Sequence, residues 1–390
     1  MTANFVQMPL FDFQLPTRIV FGPGSLSDLG AASAGLAARR VLVVSDPGIV
    51  KAGHTPRGID SLRTSDLTVE LFHGVAENPT TEHVNAGLAA ARDFRPDLIV
   101  GIGGGSSMDC AKGINFLYSC GGRMQDYWGL GKATGPLLPM IAVPTTAGTG
   151  SETQSYALIA DAETHIKMAC GDKRAAFRVA ILDPQLTVTQ PPRVTALTGI
   201  DALSHAIETY VSKRRSAISL AFSREAWRHL AGNYSKVLER GADVSARAEM
   251  QLGACLAGVA IENSMLGAAH ALANPLTATF GIAHGEAIGL MLPHVIRHNG
   301  RMVTDQYEEL IGIGRRAGAQ IEGGEPADAL AQFVAGLVKQ GGLASKLSRS
   351  GVTAADLPAM AAAAAEQWTG TFNPVELTAS DYQQLYEAAL

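Results

Sequence analysis

The periodicity of apolar residues changes once along this chain of 390 residues, and that change limits the folds it can adopt. As far as about Pro184, short runs rich in valine and isoleucine alternate with glycine loops and helical stretches. Such alternation is typical of parallel strands joined by crossover helices. Strand-like runs largely vanish after Pro191, where apolar residues recur at helical spacing. The sequence therefore predicts an α/β domain over residues 1–190 and an all-α domain over residues 191–390.

Charge and hydropathy argue against two classes of partner. The 31 Lys and Arg residues are outnumbered by 36 Asp and Glu residues without any block of like charge, so we expect no nucleic acid partner. Residues 263–283 carry no charged side chain, and a membrane span needs about 20 such residues. His270, Asn274 and Pro275 within this stretch favour a buried helix and turn, so we expect no membrane partner. The first residues lack a secretory signal pattern, which predicts a cytoplasmic protein.

A glycine loop follows the predicted strand at residues 98–102. Gly103, Gly104 and Gly105 precede Ser106 and the start of a helix. Glycines allow close backbone approach, and the free amides at a helix N-terminus favour a pyrophosphate. The loop does not complete a GxGxxG pattern, and the alternative is a tight turn with Ser106 as the helix N-cap. We therefore predict that the α/β domain binds a dinucleotide and that this loop contacts the pyrophosphate.

Two further polar features follow predicted strands. Asp46 closes the strand at residues 41–45, where it could accept hydrogen bonds from ribose hydroxyls and repel a 2′-phosphate, which favours NAD over NADP. The alternative is an aspartate that caps a turn before Pro47. Pro144–Glu152 presents four hydroxyls among two glycines, suited to ribose and nicotinamide, or else it is simply a hydroxyl-rich loop. Ligands gather at the carboxyl ends of parallel strands, so we expect these features to share one site.

Four side chains of the predicted helical domain have the chemistry of metal ligands. Asp201 and His205 are separated by i, i+4 and therefore share a helix face, and His270 and His284 follow in apolar surroundings. One carboxylate and three imidazoles suit Fe²⁺ or Zn²⁺. The alternative is a set of hydrogen-bonded core residues, although each would cost free energy if buried unpaired. Glu208 is expected either to orient His205 or to form a solvent-facing salt bridge.

In this order, the segments resemble the iron-containing alcohol dehydrogenase family over nearly the whole chain. Phe13–Gly24 resembles its N-terminal strand and Gly103–Lys112 its GGGSxxDxAK loop. Pro144–Glu152 resembles its PTTAGTGSE loop. Leu182–Glu208 and Ala269–His294 resemble its two signatures. The implied fold is dehydroquinate synthase-like: a dinucleotide-binding α/β domain, an all-α metal-binding domain, and an active site in the cleft between them.

The resemblance also implies site residues. It puts Asp201, His205, His270 and His284 on the family's metal ligands. The positions that line the family's cofactor correspond here to Asp46, Asn78, Gly103, Gly104, Gly105, Ser106, Thr145, Thr146, Thr149, Ser151 and Lys167.

We expect from this resemblance a metal-dependent alcohol dehydrogenase that transfers a hydride between a primary alcohol or aldehyde and NAD. The metal would polarise the substrate oxygen, and the chain is expected to form a homodimer or higher homo-oligomer. One alternative is a dehydroquinate synthase-like cyclase or lyase, whose metal set typically has a glutamate and two histidines. Another is a binding protein of the same fold without catalysis.

Two positions depart from the family pattern, Asn274 and Val375, the latter in an Asn373-Pro-Val375 segment where the family more usually has Asn-Pro-Arg. Family members commonly carry a second histidine four residues after the third ligand, where this chain has Asn274. We expect Asn274 to share a helix face with His270, close to the metal and the nicotinamide. An amide cannot take up a proton near neutrality, so we predict a positioning role without proton relay.

Overall fold

Parallel strands form the centre of the N-terminal half of the molecule. The computed structural model describes residues 10–390. The strands are β1 (Arg18–Phe21), β2 (Arg40–Val44), β3 (Thr68–Phe72), β4 (Leu98–Gly103), β5 (Gly129–Leu130), β6 (Met140–Pro144), β7 (Tyr156–Ala160), β8 (Lys167–Gly171) and β9 (Val179–Leu182). Six of them form a fully parallel sheet in the order β1-β9-β6-β4-β2-β3. The other three form a small sheet in the order β5-β8-β7, in which β7 runs antiparallel to β8.

Helices cover both faces of the large sheet. They are α1 (Leu29–Gly35), α2 (Pro47–Lys51), α3 (His54–Thr64), α4 (Thr81–Phe94) and α5 (Gly105–Cys120). On β2, Leu42 and Val44 pack in a buried cluster with residues of α4 and α5. The alternate residues Val41 and Val43 pack with α1 and α3 on the opposite face. Burial on both faces explains why these strands are continuous apolar runs.

The second half of the described chain is helical. It contains α6 (Pro192–Val211), α7 (Ala217–Glu239), α8 (Val244–Ser264), α9 (Ala268–Phe280), α10 (His284–Asn299), α11 (Thr304–Arg316), α12 (Pro326–Gln340), α13 (Leu357–Ala365) and α14 (Ala379–Ala389). Pro192 occupies the first helical position of α6, where its missing N–H costs no hydrogen bond. The predicted fold class, an α/β domain followed by an all-α domain, is confirmed.

Residues 263–283, the charge-free stretch, span the end of α8 and all of α9. His270 and Leu276 are buried there, 4% and 0% exposed, as a core helix requires. Between residues 10 and 390, no single helix is long and apolar enough to cross a membrane. Taken together, α8 and α9 have the length and composition of a membrane span, but the chain bends by 104° at the break between them.

The parallel sheet brings three loops together at one edge. β2, β4 and β6 are neighbours and end at Val44, Gly103 and Pro144. Gly103 and Pro144 are paired in register, and the Thr145 N–H donates to the Gly103 carbonyl at 2.9 Å. The glycine loop and the hydroxyl-rich loop are therefore adjacent at the carboxyl ends of the strands, next to Asp46.

Candidate active site

The glycine loop packs against neighbouring side chains so closely that two positions require glycine. Gly103 has a φ of +154°, and a Cβ there would lie 2.4 Å from Ser107 Oγ. A Cβ on Gly105 would lie 2.7 Å from Thr149. α5 begins at Gly105 with Gly104 as its N-cap, so the alternative that Ser106 is the cap is wrong. The loop therefore places the first amides of a 16-residue helix at the sheet edge, where they favour an anion.

Asp46 caps α2 at the end of β2. Its Oδ1 accepts a hydrogen bond from the Ile49 N–H at 3.0 Å, which confirms the capping interpretation. The Ser107 hydroxyl donates weakly to Oδ2 at 3.4 Å. The carboxylate is half-buried beside the glycine loop. Capping does not exhaust its acceptor capacity, and contact with a ribose remains a prediction.

The hydroxyl-rich loop divides its side chains between two environments. Thr146 and Thr149 are half-buried against the glycine loop. Thr145 is 2% exposed, and its hydroxyl has no hydrogen-bond partner among the described residues. Ser151, in contrast, donates to Asp109 at 2.6 Å and accepts from a lysine ammonium at 2.9 Å. The Ser151 hydroxyl is thus already engaged within the protein.

Two predicted cofactor residues come from outside these loops. Asn78 is exposed and has a left-handed φ of 53°. Lys167 opens β8 and keeps solvent contact, yet desolvation lowers the pKa of its ammonium while the charges of Asp109 and Asp201 oppose that shift. Lys167 therefore lies within electrostatic range of Asp109, which contacts the hydroxyl-rich loop, and of Asp201 in the histidine cluster.

Asp201, His205, His270 and His284 converge on one point from α6, α9 and α10. Asp201 Oδ1 lies 3.3 Å from His205 Nε2 and 3.6 Å from the Nε2 atoms of His270 and His284. The Nε2 atoms of His205 and His270 are 3.1 Å apart. Asp201, His270 and His284 each offer an atom within 4.8 Å of the others. Ligands about 2.1 Å from a tetrahedral ion lie roughly 3.4 Å apart, so these separations fit one divalent ion.

The hydrogen bonding of Asp201 supports the same conclusion. Asp201 is 5% exposed, and its Oδ1 has no hydrogen-bond partner within residues 10–390. An unsatisfied buried acceptor costs about 1–3 kcal/mol, and more if charged. A cation at the meeting point of the three imidazoles would remove that cost. The donor set of one oxygen and three nitrogens therefore fits a borderline ion such as iron or zinc.

The electrostatics of the cluster favour the metal-binding forms of Asp201 and His284, but they favour a protonated His270. Burial would raise the pKa of Asp201, but the adjacent imidazoles, His205 foremost, hold it well below its usual range. Desolvation lowers the pKa of His284 to about 3, against the attraction of Asp201. Burial also opposes protonation of His270, but Glu208 and Asp201 outweigh it and raise that pKa to about 9.

Glu208 orients His270 rather than His205. It is 4% exposed, and one of its oxygens accepts a hydrogen bond from His270 Nδ1. The other oxygen accepts from the Ala269 N–H at 2.8 Å. The expectation that Glu208 orients His205 or faces solvent is therefore wrong, because α9 packs within reach of this turn of α6. In the described part of the chain, His205 Nδ1 has no hydrogen-bond partner.

Asn274 lies one helical turn after His270 on α9 and is half-buried. Its Nδ2 donates to Gln367 Oε1 at 2.9 Å. The next residue, Trp368, packs across from Tyr156 of β7 with ring centroids 5.9 Å apart. Gln367 thus fixes one side of the Asn274 amide. Contact between this amide and the nicotinamide remains a prediction.

Two residues of the glycine-loop helix received no role from the sequence. Asp109 and Lys112, 9% and 0% exposed, both contact Ser151 of the hydroxyl-rich loop. The available signal was an i, i+3 pair of opposite charges, the two charged residues of α5.

Comparisons with known families agree with this architecture and site. The family described as iron-containing alcohol dehydrogenase matches residues 16–184. Its C-terminal counterpart, the Fe-containing alcohol dehydrogenase family, matches residues 195–390. The chain therefore belongs to the iron-containing alcohol dehydrogenase family, and the resemblance predicted from its motifs is confirmed.

Individual relatives are similar over almost their entire lengths. A 1,3-propanediol dehydrogenase of Klebsiella pneumoniae is 35% identical over 94% of this chain and 95% of its own. An NAD-dependent methanol dehydrogenase of Bacillus methanolicus is 32% identical over 97% and 100%. The solved structure of a 1,3-propanediol oxidoreductase aligns with a TM-score of 0.94 at 32% identity, covering 98% of this chain and 100% of that one. The prediction of an alcohol dehydrogenase is confirmed, and the cyclase alternative is not favoured.

Proposed function

We propose that this chain transfers a hydride between a primary alcohol or its aldehyde and NAD. Residues 1–190 hold the dinucleotide, and residues 191–390 hold a divalent ion and the substrate oxygen. The proposal rests mainly on the environment of Asp201 Oδ1. This atom lies within 3.6 Å of three imidazole nitrogens and has no hydrogen-bond partner in the described chain.

The metal ligands in this proposal are Asp201, His205, His270 and His284. When bound, the ion supplies a Lewis acid for the substrate oxygen, and the nicotinamide supplies the hydride acceptor or donor. The family's description favours Fe²⁺, while Zn²⁺ suits the same donors. Glu208 accepts a hydrogen bond from His270 Nδ1–H and thereby leaves Nε2 free to face the ion.

The two sheet-edge loops orient the dinucleotide in this proposal. The α5 N-terminus receives the pyrophosphate, with Gly103, Gly104, Gly105 and Ser106 permitting close approach. Asp46 accepts hydrogen bonds from the adenosine ribose and repels a 2′-phosphate, which selects NAD over NADP. Asn78, Thr145, Thr146, Thr149, Ser151 and Lys167 are the remaining proposed contacts.

Two similar proteins support a primary alcohol as substrate. Their names specify 1,3-propanediol and methanol, and one of them specifies NAD. We propose that this chain acts on the same class of compound as a homodimer or higher homo-oligomer. A cytoplasmic location without nucleic acid or membrane partners is part of the same proposal.

The decisive experiment compares metal content and turnover in three proteins. Wild-type enzyme depleted of metal should regain NAD reduction with a primary alcohol when Fe²⁺ is restored, and Zn²⁺ is tested in parallel. His284→Ala should lose both metal and turnover. His294→Ala, which removes a half-buried histidine from the same helix, should retain both. Full activity in the metal-free enzyme would refute the proposal, and net accumulation of NADH would exclude a cyclase.

A further inference from the structure

Lys112 is a buried cation that has no role in the proposed reaction. Its side chain is 0% exposed and sits in α5, seven residues after the start of that helix. The ammonium donates to the Ser151 carbonyl at 2.9 Å, the Ser151 hydroxyl at 2.9 Å and the Tyr156 carbonyl at 2.7 Å. An ammonium has three N–H donors, so all of its hydrogen bonds are used.

These three bonds join separate parts of the site. α5 carries the glycine loop at its N-terminus, and Ser151 ends the hydroxyl-rich loop. Tyr156 opens β7, which pairs with β8 and hence with Lys167. Asp109 completes the arrangement, because it accepts from the Ser151 hydroxyl at 2.6 Å and lies 3.8 Å from the ammonium. One side chain thus connects the helix of the glycine loop, the hydroxyl-rich loop and the start of β7.

The surroundings leave Lys112 little freedom. Its ammonium lies 5.2 Å from the centre of the Phe177 ring, which is itself 0% exposed. Burying a charge is costly unless it is paired and hydrogen-bonded, so any shift of the Ser151 loop away from α5 would break bonds that water cannot replace there. The network therefore resists changes in the distance between the two loops.

We propose that Lys112 is a positioning residue that fixes the glycine loop and the hydroxyl-rich loop at the spacing a dinucleotide needs. It does not touch the cofactor or the substrate, and it acts through Ser151 and the start of β7. The inference rests on the proposed function for the identity of the ligand, while the rigidity it assigns to the loops is a property of the protein alone.

The test compares Lys112→Met with a matched variant of the same helix. Asn115 is also fully buried on α5, and it exchanges two hydrogen bonds with the Leu138 backbone at 2.9 and 3.1 Å. Leu138 precedes β6, at the end of the sheet opposite the loops. Asn115→Ala therefore removes buried hydrogen bonds from α5 without releasing the loops. The readouts are NADH affinity by fluorescence titration, metal content, thermal stability and hydrogen exchange of residues 103–106 and 145–151 without cofactor.

For Lys112→Met we expect the Kd of NADH to rise about tenfold or more with metal content unchanged. The KM for NAD should rise by more than kcat falls, and exchange of both loops should accelerate. Asn115→Ala should lose stability but keep the Kd within about twofold. If Lys112→Met does not fold, Lys112→Arg serves instead. It keeps the charge, but its planar guanidinium cannot repeat the three bonds, so it should also weaken NADH binding.

The outcomes separate the two proposals. Wild-type protein that binds no NADH would overturn the proposed function. Wild-type protein that binds NADH, together with a Lys112→Met variant of unchanged affinity and loop exchange, would overturn only the inference about Lys112. Loss of affinity in proportion to lost stability in both the Lys112 and Asn115 variants would also overturn it, because the lysine would then support only the fold.

Discussion

Glu208 and His270 are joined across two helices by a hydrogen bond from the imidazole Nδ1–H to a carboxylate oxygen. The second oxygen of Glu208 accepts from the Ala269 N–H at 2.8 Å, so the carboxylate is held at both ends. This arrangement leaves His270 Nε2 as the free nitrogen, 3.6 Å from Asp201 Oδ1. Glu208 therefore fixes the tautomer and direction of a proposed metal ligand.

Glu208→Gln should weaken metal binding while leaving the four proposed ligands in place. A neutral amide oxygen accepts a weaker hydrogen bond from Nδ1–H than a carboxylate does, and partners of this kind are worth about 10–100-fold in metal affinity. Competition between the protein and a chelator for Fe²⁺, measured above about pH 9 where His270 is neutral in both proteins, gives the change. Glu225→Gln is the control, since Glu225 pairs with Arg228 and is half exposed. Equal metal affinity in the Glu208 variant and wild type would contradict the role assigned to Glu208.

Metal binding to the depleted protein should release a proton from His270. Burial opposes its protonation, but Glu208 and Asp201 outweigh burial and raise the pKa to about 9, above the ordinary 6.5. A histidine must be neutral to bind a metal, so affinity should rise with pH and level off above about pH 9. The pKa of His284 is lowered to about 3 by desolvation, so it should release none.

Calorimetric titrations of Zn²⁺ into metal-depleted protein, in two buffers of different ionisation enthalpy, count the protons released. The Glu208→Gln variant should release fewer near neutral pH, because His270 loses the charge that holds its proton. An identical heat in both buffers at about pH 7 would be incompatible with this assignment.

Asp46→Ser should reduce the preference for NAD over NADP. Serine removes the charge that faces a 2′-phosphate but keeps an oxygen to cap α2, so little stability should be lost. Asp46→Gly should have the same effect on preference and cost only a few tenths of a kcal/mol more. We expect the ratio of kcat/KM values for the two cofactors to change by about tenfold or more, which corresponds to about 1.4 kcal/mol. A wild-type enzyme that prefers NADP would show that Asp46 does not face the ribose.

The parts of the fold that could be predicted from sequence are those with a distinctive periodicity. β2, β4, β6 and β9 are continuous apolar runs because helices cover them on both faces. β7 was not predicted, because its burial alternates and Leu158 is 37% exposed, which gives a weak signal over five residues. Its partner β8 has a similarly exposed residue, Lys167.

The candidate site shows the same limit. Helical spacing alone placed Asp201 and His205 on one face, and their closest atoms are indeed 3.3 Å apart. Spacing could not show that Glu208 reaches α9 rather than a neighbour on its own helix, since that depends on how the helices pack. It also could not show that the Ser151 hydroxyl is engaged by Asp109 from another element. Local pattern predicts which residues share a face, and tertiary packing decides their partners.

Asn274 is one of the positions at which the motifs predict a departure from the family pattern, and the structure sharpens what its substitution should do. The amide donates to Gln367 at 2.9 Å, one helical turn from His270, so it has a fixed direction but no titratable proton. Asn274→Ala should therefore lower kcat by only about tenfold or less, since general acid–base groups typically contribute about a hundredfold or more. Gln367→Leu, which removes the partner but keeps Asn274, should have a smaller effect in the same direction.

Asn274→His should add an ionisation to the pH profile of kcat, because an unperturbed imidazole titrates near about pH 6.5. A loss of about a thousandfold in Asn274→Ala with metal still bound would indicate a proton-transfer role, and an unchanged profile in Asn274→His would show that this position does not communicate with the reaction.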